Sequence, residues 1–115
     1  MLYLGRIEPP PNSTGIDRTR WVALIGSHPS LAHVPPRIGP KPGTQELCEY
    51  RAPASTAIVL VNGARAGSIE WALDGSPYLL VDALEESTSD VAGIAEEVAT
   101  ILGARFILDT NDEQD

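Results

Sequence analysis

The chain has 115 residues, 43% of them hydrophobic and 21% charged, with a formal net charge of −8. That is enough apolar material for the core of one domain, which excludes wholesale disorder. No run of about eighteen apolar residues is present, which excludes a membrane-spanning helix, and the acidic excess argues against general nucleic-acid binding.

Leu2–Ile7 is the first predicted strand, and it stops at Pro9-Pro10-Pro11, where backbone donors are lost. Arg6 and Glu8 interrupt the apolar run, so no export signal is expected and a cytoplasmic location is the reading. A single cysteine, Cys48, cannot close an intrachain disulfide and fits a reducing compartment. Asn12-Ser13-Thr14 matches a glycosylation sequon but reads as a turn, within a loop over Asn12–Thr19. Arg20–Gly26 is continuously apolar after its arginine and reads as a strand covered on both faces.

Ser27–Thr44 carries five prolines (Pro29, Pro35, Pro36, Pro40 and Pro42) with Gly39 and Gly43, which predicts a long loop. Its apolar residues, Leu31, Val34 and Ile38, are expected to lie against the body. Leu47–Arg51 reads as a short strand. Thr56–Val61 is a β-branched run that ends in Asn62-Gly63, the strongest two-residue signal for a hairpin with a type I′ turn. Ala64–Leu73 alternates, with Ile69, Trp71 and Leu73 on one face and Ser68, Glu70 and Ala72 on the other. Gly67 marks a bulge. A second reversal at Asp74-Gly75-Ser76-Pro77 leads into Tyr78–Ala83, completing an antiparallel meander.

A helix follows. Ser87 and Asp90 approximate a capping box, and Val91, Ile94, Ala95, Val98, Ile101 and Leu102 form one apolar stripe. Gly103 stands at the position of a left-handed C-cap. Arg105–Leu108 is a last short strand, and 109–115 reads as a disordered acidic tail. The predicted fold is one α+β domain over residues 1–108. Its single, mainly antiparallel sheet has about five or six strands, with the C-terminal helix packed on one face. One helix cannot cover both faces, so the second is left polar, covered by the proline-rich loop, or covered by another chain.

Candidate chemistry is sparse. His28 and His33 lie in the proline-rich loop, and Cys48, Glu46 and Glu49 are the residues that would complete a metal set, but no ligand spacing demands one. Cys48 or Ser27 with a histidine and Asp82 would make a nucleophile–base–orienter trio, yet no nucleophile elbow surrounds Ser27. Gly63-Ala64-Arg65-Ala66-Gly67 lacks the lysine and following helix of a phosphate loop, and Pro35–Pro42 has no Pro-x-x-Pro spacing. No catalytic residue, cofactor or metal is assigned.

Charge distribution says more. Residues 1–65 hold seven basic groups against four acidic ones, whereas residues 66–115 hold only Arg105 against twelve acids. Glu70, Asp74, Glu85, Glu86, Asp90, Glu96 and Glu97 are the candidate partner-binding residues, a docking surface for a basic protein. The plainer reading of the same acids is solubility. In size and charge alone the chain is like small inhibitors and immunity-type proteins, and its single lysine and many alanines fit a bacterial or phage genome. Two other classes stay open: a homodimeric assembly subunit that buries the second sheet face, and a small enzyme or ligand binder built on His28, His33 and Cys48. Neither nucleic acid nor membrane is an expected partner.

Overall fold

The computed structural model describes residues 1–12, 15–72 and 78–109. In chain order the elements are β1 (Leu2–Glu8), α1 (Arg18–Ser27), β2 (Leu31–His33), β3 (Arg37–Pro40), β4 (Leu47–Tyr50), β5 (Thr56–Val61), β6 (Ala64–Trp71), β7 (Leu79–Ala83), a 3-10 turn (Glu85–Ser87), α2 (Thr88–Ile101) and β8 (Arg105–Leu108). Six of the strands make one antiparallel sheet in the order β2-β5-β6-β7-β1-β8, and β3 and β4 pair separately. The α+β class and the antiparallel sheet with a helix on one face are as the sequence predicts.

The meander β5-β6-β7 forms the middle of the sheet. Its first turn has Asn62 at φ 54° and Gly63 at φ 81°, the two positive values that a type I′ turn requires. Register slips between Val59 and Leu60, where Ala66 is the extra residue, so the bulge sits beside Gly67. A Cβ on Gly67 would lie 2.2 Å from the Asp82 carbonyl oxygen and 3.2 Å from Val91 Cγ2, so only glycine lets sheet and helix approach this closely. Leu73 and the reversal at Asp74–Pro77 lie outside the described residues. β1 pairs with both β7 and β8, which places the N-terminal strand between two strands from the far end of the chain.

Arg20–Gly26 is not a strand. It belongs to α1, a ten-residue helix. Asp17 caps it, accepting the Thr19 N–H at 2.9 Å and the Arg20 N–H at 3.3 Å. Trp21 and Ile25, four residues apart on one helix face, are fully buried, and Val22 and Leu24 pack against the core as partly buried flanks. An apolar run of this length fits a strand and a buried helix turn equally well by periodicity, and the cap decides between them. The indole N–H of Trp21 donates to the Ser55 carbonyl at 2.8 Å, so this ring is both packed and hydrogen-bonded.

Ser27–Thr44 is likewise more ordered than a loop. Leu31–His33 makes an edge strand on β5, with Leu31 buried opposite Val59. Arg37–Pro40 forms a ribbon with β4, where proline is tolerated because a two-stranded ribbon is all edge. Val34 is half-buried, but Ile38 is 64% exposed and does not lie against the body.

α2 buries Val91, Ala95, Val98 and Ala99, with Leu102 just beyond its end. Ile94 is only partly buried and Ile101 is 41% exposed, so the stripe is narrower than the six predicted positions. The capping box is absent: Ser87 makes no side-chain cap bond, because the chain enters α2 through the 3-10 turn, with the Ser87 N–H bonded to the Leu84 carbonyl. The other end is as expected. Gly103 has φ 70°, the Ala104 N–H reaches the Ala99 carbonyl at 2.8 Å and the Gly103 N–H reaches Thr100, a complete Schellman motif.

Both helices bury their apolar sides in the cluster that contains Ala57, Val59, Ile69, Leu79, Val81 and Ile7. Cross-strand register places those residues on one sheet face. Alternation puts Ile58, Ser68, Glu70, Leu80, Asp82, Arg6 and Ile107 on the other. Neither helix packs there, and its apolar members are half-buried among charged neighbours, a solvated antiparallel face. Among the described residues no helix is long and apolar enough to cross a membrane.

Candidate interaction surface

The 3-10 turn and α2 carry the acids. Glu85, Glu86, Asp90, Glu96 and Glu97 are all exposed along this segment, because the opposite side of α2 is spent on the core. Between Arg65 and Arg105 the chain contains no basic residue, so nothing within the segment neutralises them. Asp90 lies in the first turn of α2, where a carboxylate complements the exposed N–H groups. Gly93 leaves a gap in the outer surface: a Cβ there would meet nothing within 4 Å.

Of the seven predicted residues, Glu70 does not join this surface. Glu70 lies on the opposite face of the sheet, half-buried; with Arg18 of α1 and Trp71 it also lines an open cleft of about 460 Å³. Asp74 lies outside the described residues. Among the five that do share it, Glu97 is engaged, accepting a hydrogen bond from His28 Nε2 at 2.8 Å. The other four take part in no ion pair among the described residues.

His28 is a structural residue in this geometry. It is 8% exposed, its Nδ1 accepts the Ser30 N–H at 3.0 Å, and its Nε2–H therefore donates to Glu97. Both ring nitrogens are occupied, which fastens the end of α1 to the middle of α2. A second tie runs from the Arg20 guanidinium to the Ile101 carbonyl at 2.8 Å, meeting an otherwise open helix-end carbonyl. Neither contact was legible in the sequence, since each joins residues at least 69 positions apart.

The nucleophile trio is not assembled. Asp82 lies on the open sheet face while His28 is bonded to α2 on the other, and Ser27 Oγ donates back to the Leu24 carbonyl at 3.4 Å. Burial holds the Asp82 carboxyl above its ordinary range. Cys48 lies in the β3–β4 ribbon beside Tyr50, whose pKa is raised by its hydrogen bond with that thiol and by burial. Tyr50 also donates to the Pro40 carbonyl at 2.7 Å and carries the Arg37 guanidinium 5.5 Å above its ring. Among the described residues no group of three metal-ligating side chains converges.

Comparison with protein-family models, with curated proteins and with solved structures gives no match, so the reading of this surface rests on its own geometry.

Proposed function

We propose that this domain is a non-enzymatic protein-binding module, of the inhibitor or immunity type, that docks a basic protein on the outer surface of the 3-10 turn and α2. One observation carries the reading. Glu85, Glu86, Asp90 and Glu96 are exposed on one continuous segment and, among the described residues, have no ion-pair partner, while Arg6, Arg51 and Arg105 elsewhere each have one. Like charges held together on a rigid helix raise the local potential and speed encounter with an opposite charge. Solubility alone needs no such concentration, because dispersed charges serve it equally well.

The test is reversal of Glu86, Asp90 and Glu96 to Lys, leaving Glu97 in place because it holds His28. Capture from a host lysate should yield a basic protein with the parent chain, lose it with the triple variant, and lose it at about 0.5 M salt, where screening is strong. Identical capture by both chains sinks the proposal. Unchanged far-UV circular dichroism of the variant establishes that the fold is intact.

A further inference from the structure

The two edges of the main sheet are unlike. β2 has three residues and lies between Pro29 and Pro35, so it offers little to pair with. β8 is Arg105-Phe106-Ile107-Leu108, without proline or glycine, and among the described residues it pairs with β1 alone. Leu108 is 51% exposed on it. A bare apolar edge strand is a template for another strand, and natural proteins blunt such edges unless they use them.

Backbone parity fixes what β8 presents. The Asp109 N–H donates to the Leu4 carbonyl at 2.8 Å, and the register continues as Gly5 opposite Leu108, Arg6 opposite Ile107, Ile7 opposite Phe106 and Glu8 opposite Arg105. Residues 105, 107 and 109 thus turn their backbone groups toward β1, and Phe106 and Leu108 turn theirs outward. Only pairings that match Phe106 and Leu108 with outward groups of a partner strand are available.

We infer that β8 is the seam of a homodimer, in which a second copy of this chain pairs its own β8 antiparallel along the open edge about a two-fold axis through Ile107. That register sets Phe106 opposite the partner's Leu108, and Leu108 opposite the partner's Phe106, each pair exchanging two backbone hydrogen bonds. It sets Ile107 opposite its symmetry mate. It also sets Arg105 opposite the partner's Asp109, twice, on the same sheet face as Ile107. The strand is self-complementary in backbone parity, in apolar pairing and in charge, as an isologous interface demands. Moving the axis to Phe106 or Leu108 keeps the parity but loses the Arg105–Asp109 match. The two six-stranded sheets become one continuous sheet. This seam is separate from the acidic surface and stands whether or not that surface binds a partner.

The register supplies its own experiment. Sedimentation equilibrium of the full chain at high micromolar concentration should give the dimer mass, and a monomer at every concentration overturns the inference. Arg105→Asp and Asp109→Arg should each give a monomer, because each puts like charges opposite each other across the seam. An equimolar mixture of the two should restore the dimer, since every 105–109 contact is then between opposite charges; this rescue also shows that both variants are folded. Dimers formed by either single variant as strongly as by the parent refute the axis through Ile107. In a Cys48→Ser background, Ile107→Cys should cross-link to a covalent dimer on mild oxidation, because facing residues of a non-hydrogen-bonded pair lie about 4.5 Å apart at Cα. No cross-link at a concentration where the parent dimerises overturns it.

Discussion

Gly67 and Gly93 receive the same substitution with opposite expected outcomes. At Gly67, alanine places a methyl 2.2 Å from the Asp82 carbonyl oxygen, 3.1 Å from Ala83 Cα and 3.2 Å from Val91 Cγ2. The first two are backbone atoms of β7, which is paired on both sides and cannot retreat without loosening β6 or β1. Overpacking of this kind costs about 1–3 kcal/mol, and the clash with fixed backbone puts Gly67→Ala near the top of that range. The smaller entropy of the unfolded alanine chain offsets about 0.4–1 kcal/mol, leaving a net loss of about 2 kcal/mol. At Gly93 a methyl meets nothing within 4 Å, on the exposed side of α2. There alanine should stabilise by about 0.8–1 kcal/mol through helix propensity alone. For a domain of this size 1 kcal/mol is about 4 °C in Tm, so thermal melts should place Gly67→Ala about 8 °C below the parent and Gly93→Ala about 4 °C above it. Shifts of the same sign, or no loss at Gly67, would refute the close approach of α2 and β7 at that position.

Asp17→Ala removes the side chain that accepts the Thr19 and Arg20 N–H groups and should cost about 1 kcal/mol in a denaturant titration; Asp17→Asn should keep most of it. Trp21→Phe leaves the Ser55 carbonyl unpaired in a buried setting, an expected loss of about 1–3 kcal/mol by the same measurement. Asp82→Asn is expected to stabilise, because burial raises the folded-state pKa of this carboxyl and its ionised form opposes folding. With the folded value above the unfolded one, the penalty builds as pH rises from the unfolded pKa to the folded pKa, is complete above the latter and vanishes below the former. Tm against pH should show the variant ahead at pH 7 and level with the parent in strong acid.

The meander, α2 and the final strand were legible because each carries a local signal that packing does not contradict: Asn62-Gly63 with its positive φ pair, a 3.6-residue stripe, and Gly103 at the helix end. α1 was not legible, because Trp21-Val22-Ala23-Leu24-Ile25 is apolar at every position and its periodicity is erased. The deciding residue, Asp17, sits in a stretch of turn formers, where an N-cap and a loop residue have the same composition. The proline-rich segment concealed β2 and β3 for a different reason. Proline excludes central strands and not edges, and both strands are edges. For the interaction surface, the sequence supplied the acids but not their distribution between sheet faces, which for Glu70 follows from register with β5 and β7.

The charge halves of the chain do not survive as halves of the molecule, and this bears on what can dock where. β1, from the mildly basic half, is threaded between β7 and β8, so Arg6 and Glu8 stand among residues of the acidic half. Glu8 is held below the usual carboxylate range by its hydrogen bond from Arg6, with Arg105 adding to the effect. Arg6 also lies 6.0 Å from the centroid of the Tyr78 ring. On the open sheet face, acids therefore alternate with guanidinium groups, and the potential there is mixed. Among the described residues the 3-10 turn and the outer side of α2 escape this mixing: the segment holds no basic residue of its own, and the side chains that reach it are His28 at Glu97 and Arg20 at the Ile101 carbonyl, which touches none of the other four acids. Among the described residues, the part of the acidic run that lies on this turn and helix without an ion-pair partner is four carboxylates, Glu85, Glu86, Asp90 and Glu96. On the proposed reading, a basic partner that presents a few cations spaced to match a helix surface would find those four held in place.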